Sequence, residues 1–436
     1  MKSRKTLAIL AFSATAGVLV EYYDFFIFGF AAASVFPGLF FPKLPYTLAL
    51  TLSYLAFGAG FPARLLGSFI FGHFGDKFGR RWTFLANFLM VGLSTCLTGL
   101  LPGYEQLGMA APILLVILRI VQGIGLGGEF GGATSLLAEY GAGLRHRALW
   151  VALANIGIPG GALAASAATY AFSATFGGSG WRIAMLLSAL LFVPAAIARY
   201  RLGDSPLFEQ ARAKAALASR PSLAVVRRHW RSILLLALLS AFQQMDGYVS
   251  GTYMISFMKS AGIPLSTAAV AIFIGRIGDL GGVALGGYGA GFMARRKLAA
   301  FAIVTATALS VPFVLAILAK NTLLVCFLQF LITLFGVGMM HALAPIIASE
   351  SFSTRYRYSG AGISYNLSAM LGGMLPPTVL AGTIGDEVAD KWIFVPALYA
   401  VYCLIALVAL ARMRETGAIA LENLDETQSG EPMDLG

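Results

Sequence analysis

Acid and base side chains placed inside long apolar runs are the residues of this sequence that could do chemistry. Glu21-Tyr22-Tyr23-Asp24 lies in one such run and Arg119-Ile-Val-Gln122 in another. Gln243-Gln244-Met-Asp246 and Arg276-Ile-Gly-Asp279 lie in two more. An ionised group at the centre of a bilayer costs about 3 kcal/mol or more, so such groups face a protein interior and serve ion or substrate pathways. A spacing of three puts both members of a pair on one helix face. Burial favours the neutral form of a carboxyl and a nearby cation favours the charged form, so a buried acid can be poised to take up and release a proton. Asp24, with Glu21 as its alternative, is the expected proton carrier, and pairing with a buried arginine is the plainer use of either. A guanidinium can grip a carboxylate through two parallel N–H···O bonds. That makes Arg119 and Arg276 candidate anion ligands, with Tyr23, Gln122 and Gln243 as neutral neighbours. Asp279 would orient Arg276, and a purely structural Arg276–Asp279 pair is an equally open reading. Glu129, on the same run as Arg119, is a further acid for proton coupling. Arg64 and His341 are lone polar residues in apolar runs, and His341 reads more readily as a packing residue.

The elements that must position these groups follow from composition. The chain has 436 residues, of which 58% are hydrophobic and only 12% charged, with mean hydropathy +0.79. Soluble domains carry about 25% charged residues, and about 20 apolar residues cross a bilayer as a helix. Apolar runs near 12–36, 46–74, 82–101, 109–139, 148–173, 181–199, 232–258, 267–293, 298–318, 322–349, 359–383 and 392–411 predict twelve spanning helices, called spans one to twelve below. Met1–Lys5 precedes a run too long for a signal peptide, and that run carries Glu21 and Asp24, so it reads as span one.

The net charge of +11 is a topology signal and does not point to nucleic acid. With the N-terminus inside, the inner segments hold most of the Lys and Arg, including Lys77, Arg80, Arg81 and the basic stretch Arg199–Arg231. The outer segments hold only Lys43, Arg182, Lys259, Lys320 and Lys391. This asymmetry places both termini in the cytoplasm of a multi-pass plasma-membrane protein. Cys96, Cys326 and Cys403 lie in apolar runs without a C-x-x-C, so no disulfide or metal site is expected. The expected organisation is a six-helix unit over 1–200, a cytoplasmic linker with amphipathic helix over 201–231, a second six-helix unit over 232–411, and an acidic, disordered tail over 412–436.

The two halves repeat. Gly72-x3-Asp76-x3-Arg80-Arg81 recurs as Gly287-x3-Gly291-x3-Arg295-Arg296. Glu139-x5-Arg145-x-Arg147 recurs as Glu350-x4-Arg355-x-Arg357, and Asn155 answers to Asn366. The stretch from Gly72 through Gly79 to Arg81 reads as a tight aqueous hinge between spans two and three. Glu139 with Arg80 or Arg81, and Glu350 with Arg295 or Arg296, are the expected ion pairs of an inner gate. Gly123-x-Gly125-x-x-Gly128 imitates a dinucleotide fingerprint, but it lies in a membrane span with no preceding strand. Gly123, Gly127 and Gly131 instead allow close helix approach. Pro159, Pro376 and Pro377 are expected to bend spans five and eleven.

Gly72-x3-Asp76-Lys-x-Gly79-Arg80-Arg81 matches the loop signature G-x-x-x-D-(R/K)-x-G-R-(R/K) of the major facilitator superfamily. Glu21-Tyr-Tyr-Asp-Phe, Ala63-Arg64-Leu-Leu-Gly67, Arg119-x-x-Gln122-Gly, Gly127-Gly128-Glu129-Phe-Gly131-Gly132, Asp204-Ser-Pro206 and Thr354-Arg355-Tyr-Arg357-Tyr resemble motifs of its metabolite:H+ symporters. The chain departs from them at Leu65, where the family has Pro, at Tyr22 and Phe130, where it has Trp, and across spans seven and eight. The resemblance implies an all-α membrane protein with twelve transmembrane helices in two pseudo-symmetric six-helix bundles, the major facilitator fold. It also implies proton coupling at Arg119-x-x-Gln122, and carboxylate or zwitterion substrates.

The sequence therefore predicts a proton-coupled symporter importing a small organic anion by alternating access. An importer of a zwitterion such as proline or betaine, or an uncoupled facilitator, is the alternative. A membrane sensor or enzyme is remote, since the chain has no G-x-x-x-x-G-K-(S/T), no H-E-x-x-H and no G-x-S-x-G. The expected partners are a small-molecule substrate, the proton and the lipid bilayer, with no nucleic acid. The expected state is a monomer, and no cofactor is expected beyond protons as the coupling ion.

Overall fold

The computed structural model describes residues 4–78, 80–127, 155–176, 179–188, 192, 221–352 and 354–415. Every regular element among them is helical. Eight of the helical segments are long and apolar enough to span a membrane, and Leu89–Leu100 and Ala110–Leu126 are shorter apolar helices. This is consistent with the twelve expected spans.

Spans one and seven lie at the centre. Span one is the helix Arg4–Ser34, and every residue from Val20 to Ala33 is buried. Span seven runs from the helix Pro221–Tyr248 through a π-helical turn, Val249–Tyr253, into Met254–Ser260, and every residue from Leu239 to Met258 is buried. Their polar groups, Glu21 and Asp24 on one and Gln243, Gln244 and Asp246 on the other, are buried, and such groups in a membrane span face the bundle interior. Span twelve, Phe394–Ala411, is peripheral and exposes Val401, Leu404 and Val408.

Small residues set how closely the helices approach. Span two consists of Tyr46–Gly58 and Gly60–Phe78, and span four of Ala110–Leu126. Gly127 packs on the Arg64 carbonyl and on Gly67, so a Cβ there would collide with backbone. In the second half, span eight is Leu265–Gly289, and span ten is Thr322–Thr333 with Met339–Ser351. Gly338 packs on the Asp279 carbonyl in the same way.

One expectation is corrected, and the linker, the tail and span eleven gain detail. The hinge at Gly72–Arg81 is largely helical: span two continues to Phe78 and span three resumes at Arg80 as Arg80–Leu100. Helical continuation satisfies backbone groups that a long turn would leave to water. Its counterpart is an open turn, because span eight ends at Gly289 and span nine, Arg295–Leu318, starts after it. The last part of the expected linker, from Pro221, is already helix continuous with span seven, with non-helical dihedrals at His229; 201–220 lie outside the described residues. The tail is not free at its start. Glu415 accepts hydrogen bonds from the backbone N–H groups of Arg295 (2.9 Å) and Arg296 (3.1 Å), capping span nine. A carboxylate there meets both the unpaired N–H groups and the positive end of the helix dipole. In span eleven the distortion is a π turn at Met370–Met374, directly before Pro376 and Pro377.

The halves meet at several levels, two of which frame the centre. Near one end the Tyr54 hydroxyl lies 3.0 Å from Ser256 Oγ, and Ser256 donates to the Ala33 carbonyl at 2.9 Å. In the middle, Phe25, Phe57 and Phe61 of the first half and Tyr248 of the second pack with every ring touching the other three, at centroid distances of 5.1 to 5.8 Å.

Candidate functional site

The central aromatic cluster separates two groups of buried charge. On the first-half side, Arg64 Nη2 donates to Glu21 Oε1 at 2.6 Å, with both side chains buried. One turn along span one, Asp24 accepts from Gln122 Nε2 and from Ser188 Oγ at 3.2 Å. Gln122 also donates to Thr95 Oγ1 at 2.8 Å and accepts from Arg119 Nη1. Arg119 thus reaches Asp24 through an amide relay. Its Nε donates to the Phe57 carbonyl at 3.2 Å, and its Nη2 has no acceptor among the described residues. The guanidinium lies on aromatic faces, 4.0 Å from the Phe25 centroid and 4.2 Å from that of Phe28, which partly offsets its lost hydration.

On the second-half side, Arg276 Nη1 lies 3.3 Å from Asp279 Oδ2, and the other oxygen of Asp279 lies 2.9 Å from His341 Nδ1. Arg276 Nη2 reaches the Gly247 carbonyl at 3.4 Å, and its Nε has no acceptor among the described residues. The Arg276 guanidinium sits 4.7 Å from the ring of Phe26, which belongs to the first half. Gly251, in the π turn of span seven, makes room for it, since a Cβ there would overlap the guanidinium. Asp246 is fully buried, accepting from Tyr399 OH and from the Val337 N–H, each at 2.6 Å. The π turn Leu334–Gly338 of span ten presents that N–H. Such turns widen the helix and often mark functional sites.

Of the expected site residues, Glu21, Asp24, Arg119, Gln122, Arg276 and Asp279 are all buried around this centre. Gln243 is buried on span seven with its Oε1 unpartnered among the described residues. Tyr23 turns away, donating to the Ala184 carbonyl at 3.2 Å. Among the gate residues, Arg295 lies 3.5 Å from Glu350, and Arg296 donates to the Ala411 carbonyl at 3.1 Å. Gly72, Asp76, Arg80 and Arg81 lie at the helix ends already given. Gly79, Glu129 and Glu139 lie outside the described residues.

The lone reading of Arg64 and His341 is corrected, since each pairs with a carboxylate. Asp246 is buried, as its place in an apolar run led one to expect. A repeat deeper than the loops could have pointed to these residues. Glu21, Asp24 and Gly29 of span one share one spacing with Gln243, Asp246 and Gly251 of span seven. Gly60, Arg64 and Gly67 of span two likewise match Gly275, Asp279 and Gly282 of span eight.

The sequence profile of the Major Facilitator Superfamily matches residues 7–377. The chain belongs to the Major Facilitator Superfamily. The inner membrane metabolite transport protein YhjE of Escherichia coli (strain K12) is 35% identical over 385 residues, covering 84% of this chain and 85% of that protein. The shikimate transporter of the same organism is 29% identical, covering 93% and 94%. A partially occluded, inward-open structure of the xylose transporter XylE from E. coli has the same fold, with TM-score 0.73 at 17% identity over 95% of this chain and 99% of that one. This superfamily protein is therefore an integral membrane transporter with the major facilitator fold. Its two charged clusters lie on opposite sides of the interface between the halves.

Proposed function

We propose that this chain is a proton-coupled symporter that imports a small organic anion, such as a mono-, di- or tricarboxylate, by alternating access, with both termini in the cytoplasm. The observation that carries the reading is the Asp24–Gln122–Arg119 relay. It is a buried acid joined to a buried base through one amide, and the base has an N–H without an acceptor among the described residues. A proton on Asp24 removes the counter-charge of Arg119, and a substrate carboxylate bound there, within reach of Arg276, supplies a new one. The two changes together keep the site's charge balanced, which lowers the cost of closing the halves around it. The Arg295–Glu350 pair, with Asp76 and the loop arginines, holds the cytoplasmic end shut in the outward-facing state. No cofactor enters this cycle beyond the proton.

A zwitterionic substrate is the second reading, and a charge count favours it. Among the described residues, Glu21, Asp24, Asp246 and Asp279 stand near the centre with Arg64, Arg119 and Arg276 as the fixed cations. That centre lacks positive charge to spare for a bare anion unless protons arrive with it.

The test is a thermal-shift panel of carboxylates, betaines and amino acids, since a ligand that binds only the folded state raises its stability. It is followed by uptake of the hit into proteoliposomes under an imposed pH gradient. A carboxylate hit whose uptake follows the gradient supports the first reading. A betaine or amino-acid hit selects the second, and gradient-independent uptake overturns the coupling.

A further inference from the structure

Asp279 is contested by two bases. Its Oδ2 lies 3.3 Å from Nη1 of Arg276, and its Oδ1 lies 2.9 Å from Nδ1 of His341. An ionised carboxylate only accepts hydrogen bonds, so Nδ1 of the neutral imidazole carries the hydrogen and Nε2 is its open acceptor. Nε2 has no protein partner among the described residues. The His341 side chain keeps 7% of its surface accessible, whereas Asp279 keeps none. Arginine holds its proton throughout the working pH range, while histidine gains and loses one near neutrality. Only the histidine side of this contest can be switched.

We propose that His341 is a second proton-binding site, and that a proton on Nε2 draws Asp279 away from Arg276 and frees that guanidinium for a substrate carboxylate. The proposal rests on the reading of Arg276 as an anion ligand given above. The proton adds to the Nε2 lone pair, Nδ1–H stays on Asp279, and no covalent bond breaks. The carboxylate then sits between two cations. The 2.9 Å bond, already made to an ionised carboxylate, strengthens when its donor is charged as well, at the expense of the 3.3 Å contact. Arg276 is placed to respond. Its Nε already lacks an acceptor among the described residues, its bond to Gly247 is long at 3.4 Å, and its face rests on Phe26 across the interface.

The groups on the helices packed around His341 fit this role. Span eight carries Arg276 and Asp279, and span seven carries Asp246, which is bound to Tyr399 of span twelve. Span eleven carries Tyr365, whose hydroxyl meets that of Tyr22. The charges of span nine lie at its start, where Arg295 pairs with Glu350 on the histidine's own helix. Among the described groups, Asp279 is the only one bonded to the ring.

The experiment is 15N NMR of histidine-labelled, ligand-free full-length protein in lipid nanodiscs, titrated from about pH 4 to 9, the range that brackets imidazole ionisation. The chain has four histidines, so His341→Gln assigns the resonance, and the other three report whether a variant is folded. Asp279→Asn should lower the His341 midpoint, since it removes the carboxylate bonded to the ring. Arg276→Gln should raise the midpoint, because it removes both a nearby cation and the competitor for Asp279. Arg276→Gln leaves Asp279 and His341 in place, so it decides the matter even if Asp279→Asn fails to fold. A ring that does not titrate, or a midpoint unmoved by Arg276→Gln, overturns the proposal. A thermal-shift panel without a carboxylate hit would instead overturn the anion reading and leave the titration result standing.

Discussion

In the first half, Arg64 stands between Gly60 and Gly67 on span two, and its carbonyl packs against Gly127 of span four. In the second half, Asp279 stands between Gly275 and Gly282 on span eight, and its carbonyl packs against Gly338 of span ten. The backbone frame is the same and the charge is opposite. The partners from the central helices change to match. Glu21 answers Arg64, while Gln243, at the corresponding place on span seven, cannot neutralise anything. Asp279 is served from its own helix by Arg276 and from span ten by His341. The difference teaches that the glycine contacts define where a side chain sits, and the local choice of residue defines what it does there. A fixed ion pair occupies one half, and an acid with a titratable partner occupies the other.

The strongest way to break this comparison is Arg64→Leu. Removing one partner of a buried pair leaves an uncompensated charge, a loss of about 3–5 kcal/mol. The Glu21→Gln/Arg64→Met double variant should regain most of that stability in a thermal melt in detergent. If the double variant is no more stable than the single one, Arg64 does more than clamp Glu21.

Asp24→Asn sharpens the comparison on the functional side. It keeps the hydrogen-bonding shape and removes the proton, so accumulation driven by a pH gradient should vanish in proteoliposomes while exchange across equal pH survives. Pairwise exchange and gradient-driven uptake falling together would mark Asp24 as structural.

Asp246→Ala strips acceptors from Tyr399 and Val337 and should cost about 1–3 kcal/mol in the same melt, as expected for orphaned buried donors. A smaller loss than that would mean water replaces the carboxylate, so that the two repeat-related acids are packed differently.

The loops form the next contrast. Asp76→Asn should cut the transport rate severely, whereas Gly291→Ala, at the position where the second copy has lost its acid, should have a milder effect. Equal rates for the two variants would remove any special role for Asp76.

The smallest effect is expected at Arg295→Gln. That pair is 3.5 Å apart, and although Glu350 is buried a glutamine can still donate to it, so stability should fall by only about 1 kcal/mol, the scale of one hydrogen bond. A loss several times larger would make this end of the second half as rigid as the Glu21–Arg64 clamp.

The apolar runs determined the helices. The extents of spans eight, nine, ten and twelve, the loop repeat and the superfamily signature could all be read along the chain, because hydropathy and turn chemistry are local. The three-residue spacings correctly put Arg119 beside Gln122 and Arg276 beside Asp279, since an intrahelical neighbour follows from helix geometry. Tertiary structure decided everything that crosses from one helix to another. It gave Arg64 to Glu21 and His341 to Asp279, sank Asp246 between Tyr399 and a π turn, turned Tyr23 away from the centre, and tied Glu415 to the start of span nine. Those partners depend on how each helix is rotated and how closely its glycines let a neighbour approach. No window of sequence contains both sides of such a contact.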